Sequence, residues 1–142
     1  MIRALWNLSL TPAAGVLLLA CAAPLAGQSA PQRTIMDRVY TAEQSQRGET
    51  SFRQNCASCH SLSEFSGAAF QRRWNGSSVG SFFELVSSTM PQDFPGGLTP
   101  QQYADVLAYF FSQNGAPAGG TELPVDVAAL SGIRIAPPPH ER

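Results

Sequence analysis

The sequence predicts an all-α fold, a small domain of three main helices joined by long loops. Three observations predict it. The stretch from Thr99 to Gly115 carries helix start, stripe and stop signals together. Two earlier stretches combine a capping residue with helix-favouring or apolar residues. No convincing strand and no internal repeat appear beside them.

The first helix is expected from Thr41, with Thr41-x-x-Gln44 as a capping box, to about Asn55. It carries Gly48 and Phe52 one turn apart. Residues 56–76 hold Cys, Ser, Gly and Asn among isolated aromatics (Phe65, Phe70, Trp74) and read as a loop with at most one helical turn. A second helix, about 78–88, carries Phe82, Phe83, Leu85 and Val86, capped by Ser78 or by Ser81-x-x-Glu84. Residues 89–98 form an irregular loop, because Pro91, Pro95 and the Gly96-Gly97 pair exclude regular structure. The last helix has Thr99 as N-cap, Pro100 in the first position and Gln102 completing the box. Tyr103, Val106, Leu107, Phe110 and Phe111 then form one apolar stripe, and Asn114-Gly115 ends it.

The chain has 142 residues, 44% hydrophobic and 13% charged. Arg3 precedes an apolar run from Ala13 to Ala23 and a small-residue zone to Gly27, so residues 1–27 read as a secretory signal peptide. The run is too short for a membrane span. Leu18-Leu19-Ala20-Cys21 also resembles a bacterial lipobox, in which Cys21 would be lipidated and anchor the protein to a membrane; otherwise Cys21 is discarded with the leader. Residues 28–40 are polar, carry Pro31 and read as a linker. Residues 41–115 are the folding domain, and the Pro-, Gly- and Ala-rich residues 116–142 read as a tail, extended along the surface or disordered. A domain of that size buries little surface and needs a staple. The net charge of −1, with no lysine among nine cationic residues, argues against a nucleic-acid partner.

The chemistry lies in Cys56-Ala57-Ser58-Cys59-His60, a C-x-x-C-H pattern for covalent haem attachment. Two thiols three positions apart at a helix end can reach the two vinyl groups on one porphyrin edge, with the adjacent imidazole beneath the iron. Zinc wants four ligands, usually two Cys pairs, and no second pair follows. A thioredoxin-like redox pair belongs in a βαβ setting, which is missing here. The candidates for a sixth iron ligand are Met36, Met90 and His140. Met90 stands 30 residues after His60, in a Pro-rich loop between two helices, and is the choice; core packing is the other reading of it. Met36 falls in the linker and His140 in the tail, where nothing would hold them over an iron.

With these residues in place the sequence resembles a class I cytochrome c over roughly residues 40–115. The C-x-x-C-H motif at 56–60 and Thr89-Met90-Pro91 carry the likeness. The resemblance implies a class I fold around one haem c, with Cys56 and Cys59 holding the haem and His60 and Met90 on the iron. It also implies a crossing of the first and last helices at Gly48 and Phe52, against Tyr109 or its neighbour Phe110. A narrower likeness runs from Met90-Pro91 through Pro95-Gly96, Leu98-Thr99 and Tyr103-Ala104-Asp105-Val106 to Asn114-Gly115 and Pro117-Ala118-Gly119. It is similar to cytochromes linked to quinoprotein alcohol dehydrogenases.

Trp74, with Arg72 and Arg73, reads either as a haem-propionate anchor or as a packed Trp beside solvated arginines. Phe70, Phe82, Phe83, Phe94 and Leu98 read as haem wall or as ordinary core. The expected function is a periplasmic single-electron carrier that performs no bond chemistry of its own. A quinoprotein dehydrogenase is the candidate donor, and a terminal oxidase or another cytochrome the candidate acceptor. The rivals are a peroxidase-like enzyme or gas sensor with an open sixth site, which requires Met90 not to bind, and a haem subunit held permanently in a dehydrogenase complex.

Overall fold

In the computed structural model, which describes residues 32–138, the chain runs β1 (Arg33–Thr34), α1 (Ala42–Asn55), a 3₁₀ turn (Leu62–Phe65), α2 (Gly67–Trp74), α3 (Val79–Thr89), α4 (Pro100–Gln113), α5 (Val127–Ser131) and β2 (Ile133–Arg134). The described residues are mostly helical, in keeping with the expected all-α class.

The principal packing is α1 against α4. Helix α4 is buried all round from Tyr103 to Phe111, beyond the single stripe its periodicity announces. Each large apolar side chain so buried stabilises the fold by roughly 1.5–3 kcal/mol. Gly48 is the point of closest approach: a Cβ there would lie 1.8 Å from the Asp105 carbonyl oxygen. One turn on, the Phe52 ring lies 5.9 Å from Tyr109 and 5.5 Å from Phe110, so both aromatics pack on it.

The caps follow the side-chain chemistry. Thr99 and Gln102 form the full reciprocal box of α4, with Pro100 behind them. Gly115, at φ +80°, takes the left-handed position after the Asn114 cap. Ser78 caps α3. At α1 the expected box is only half formed. Thr41 accepts from the Gln44 N–H, but the buried Gln44 side chain turns away to the Leu123 backbone, donating to its oxygen at 3.0 Å and accepting from its N–H at 2.7 Å.

That contact belongs to the largest departure from expectation. Where the structure describes them, residues 28–40 and 116–142 are not a linker and a surface-extended or disordered tail. Ile35, Val39 and Tyr40 are core residues, as are Ala116, Leu123, Leu130, Ile133 and Ile135. Strands β1 and β2 pair in parallel, Arg33 opposite Ile133 and Thr34 opposite Arg134, where no strand was expected. The Tyr40 hydroxyl donates to the Ala116 carbonyl, and Ile135 exchanges backbone hydrogen bonds with Gly76 and Ser77. Apolar residues spaced widely among Pro and Gly show no periodicity, yet each fills a site on the helical core. The stretch 56–76 is likewise more regular than a loop. It holds the 3₁₀ turn and α2, anchored by the fully buried Phe70. The leader 1–27 with Cys21, and His140, lie outside the described residues.

Candidate functional site

Cys56 is the C-cap of α1, and the chain winds on for one more turn. The N–H groups of Cys59 and His60 donate to the Cys56 carbonyl at 3.1 and 3.0 Å. Spacings of three and four residues on such a turn bring Cys56, Cys59 and His60 to one side. Both thiols are free, Cys56 half-buried and Cys59 exposed. Burial pushes the Cys56 thiol above its ordinary pKa, so it stays protonated at neutral pH.

The 3₁₀ turn holds the His60 ring. Ser61 caps it reciprocally with Glu64, whose Oε1 accepts from the Ser61 N–H at 2.8 Å. The other Glu64 oxygen lies 3.3 Å from His60 Nδ1. The Ser61 N–H, and after it the His60 contact, hold the Glu64 carboxyl below the usual glutamate range. The Phe65 ring meets the imidazole edge-on at 5.4 Å and stacks on Phe110 of α4 at 4.4 Å. Asn114 fastens the turn to α4, donating to the Phe65 carbonyl and accepting from the Gly67 N–H.

Met90 caps the end of α3, its N–H donating to the Val86 carbonyl at 2.9 Å. The loop after it is fastened to α4 by Tyr103. That hydroxyl donates to the Met90 carbonyl at 2.6 Å and accepts from the Leu98 N–H at 3.3 Å.

Between these two groups lies a cavity of about 780 Å³. Cys56, Cys59, His60 and Met90 all line it. Its walls are largely apolar, with Phe52, Phe65 and Phe110 on one set of elements and Phe82, Val86 and Leu98 on another. The charged residues on it are Glu64, Arg73 and Asp93. The volume falls within the ordinary range for cofactor pockets, roughly 300–1,000 Å³. Two free thiols, an imidazole and a thioether on one apolar cavity make a donor set that fits a covalently held haem. A bare metal ion has no such cage: among the described residues no group of three or more His, Cys, Asp or Glu is gathered to hold one.

Of the expected wall residues, Phe82, Phe94 and Leu98 line the cavity, Phe94 at its rim and 68% exposed. Phe70 and Phe83 are buried core away from it, and Met36 packs against the core elsewhere. Arg73 and Trp74 line it, and Arg72 does not. The Arg73 guanidinium stands 5.5 Å from the Trp74 ring, which lies 4.1 Å from Phe82. Two contributors escaped the sequence reading. Glu64 had a legible signal, the capping box Ser61-x-x-Glu64; the tie from Tyr103 to Met90 had none, because Tyr103 reads only as part of an apolar stripe.

Among the described residues no helix is long and apolar enough to cross a membrane. No protein-family model, curated protein or solved structure matches the chain, so the functional reading rests on the chemistry of this cavity.

Proposed function

We propose that the chain is a c-type cytochrome of class I fold and a single-electron carrier. Cys56 and Cys59 would hold one haem c through thioether bonds, and His60 and Met90 would take the two axial positions. The observation that carries this reading is the convergence of those four side chains on one apolar cavity of about 780 Å³. When bound, haem supplies a one-electron ferric/ferrous couple.

The rest is done by the chain. Cys56 and Cys59 fix the group to the end of α1. His60 would ligate the iron, with Glu64 3.3 Å from its Nδ1. Met90, with its backbone tied to Tyr103, would supply a second, thioether ligand, a choice that raises the reduction potential. The aromatic walls would shield much of the group from solvent. The leader expected at residues 1–27 supports a periplasmic location, membrane-anchored if Cys21 is lipidated, and the likeness in residues 90–119 favours a quinoprotein dehydrogenase as donor, with an oxidase or second cytochrome as acceptor.

The test is covalent attachment. Protein matured in a host competent for c-type haem should retain haem through acidic acetone extraction and on a denaturing gel stained for peroxidase activity. Its alkaline pyridine spectrum should be that of a haem with both vinyls saturated. Freely extracted haem would overturn the reading, and Cys56→Ala with Cys59→Ala should abolish the stain.

A further inference from the structure

We propose that Glu64 is a positioning residue for His60, accepting a hydrogen bond from its Nδ1–H and thereby setting which nitrogen meets the iron and how strongly it donates. This role rests on the haem reading above. The carboxylate is held in place before it reaches the ring. Its Oε1 is engaged by the Ser61 N–H at 2.8 Å, which leaves Oε2 at 3.3 Å from Nδ1. An ionised carboxylate only accepts hydrogen bonds, so the proton belongs on Nδ1 and the lone pair on Nε2.

The turn that carries Glu64 is itself immobilised. Phe65, the next residue, stacks on Phe110, and its carbonyl accepts from Asn114 Nδ2 at 2.9 Å. The imidazole is therefore bracketed by two successive side chains of one short element, a carboxylate at Nδ1 and an aromatic ring edge-on at 5.4 Å. A carboxylate on the outer nitrogen of a metal-bound imidazole raises its basicity and fixes the ring plane. The more basic ligand stabilises the ferric state, so Glu64 lowers the potential that Met90 raises. The pair brackets the working potential of the carrier.

The experiment compares full-length, haem-loaded wild type with Glu64→Gln, Glu64→Asp and Asp93→Asn, in redox titrations and in NMR of the His60 Nδ1 proton. Glu64→Gln keeps the capping box, since Gln serves there as well as Glu. Asp93 lines the same cavity and supplies a control for the loss of one negative charge. Glu64→Asp keeps the charge but withdraws the carboxylate by one methylene. The expected result is a higher midpoint potential for both Glu64 variants, with Glu64→Gln rising further than Asp93→Asn. The Nδ1 proton should exchange faster with solvent in both. If Glu64→Asp keeps the wild-type potential and proton exchange, the positioning role is overturned and charge alone remains. A chain purified without covalent haem overturns the carrier reading and this role together, which separates the two failures.

Discussion

The Tyr103 hydroxyl donates to the Met90 carbonyl at 2.6 Å and accepts from the Leu98 N–H, closing the loop between α3 and α4 onto the latter. The backbone of the candidate ligand is thus set by a side chain one turn inside the most buried helix. Tyr103→Phe removes one acceptor and one donor while keeping the ring that packs near Phe83. The expected loss is about 1–3 kcal/mol in denaturant unfolding. Amide exchange should rise in residues 90–98 and stay unchanged in α1.

Met90→Ala tests the sixth ligand. The haem-loaded variant should bind cyanide in the ferric state and carbon monoxide in the ferrous state. Its reduction potential should fall, because thioether ligation favours the ferrous iron. Met36→Ala and His140→Ala should leave the spectrum as it is. A wild-type spectrum and potential in Met90→Ala would return Met90 to the core and revive the open-site enzyme.

Gly48→Val should destabilise the domain by about 3 kcal/mol, the upper end of ordinary overpacking. The obstacle is the Asp105 carbonyl, 1.8 Å from the added Cβ, and backbone cannot rotate aside as a side-chain end can. Calorimetric melting measures it. An unchanged melting temperature would mean that α1 and α4 do not cross here.

Gln44→Ala strips the Leu123 backbone of both its partners in a buried site. Leaving buried polar groups unsatisfied costs about 1–3 kcal/mol each. The urea midpoint should fall, and limited proteolysis should open residues 116–125 before α4 is cut. Cleavage at an unchanged rate would show that the tail is held by its apolar contacts alone.

Much of this protein is legible in one dimension. Caps, prolines and glycines act within a few residues, so Thr99, Pro100, Gln102 and Gly115 announce α4 without reference to anything distant. The C-x-x-C-H spacing is local in the same way, since one turn of backbone brings Cys56, Cys59 and His60 to one side. The Ser61-x-x-Glu64 box that sets the Glu64 carboxylate is equally local and legible as spacing.

Tertiary structure decided what depends on partners far along the chain. Gln44 could cap its own helix or pair with Leu123, and the nearness of residue 123 settled it, because a buried amide bonds whatever polar backbone meets it. Ile35, Val39 and Ile135 carry no period to read, yet the core has places for them, so the two ends of the described region join the helices through β1 and β2. Met90 lines the His60 cavity with its carbonyl held by Tyr103, thirteen positions on. Short-range hydrogen bonding writes itself into the sequence as spacing, whereas the choice among distant partners is made by packing, which no spacing records.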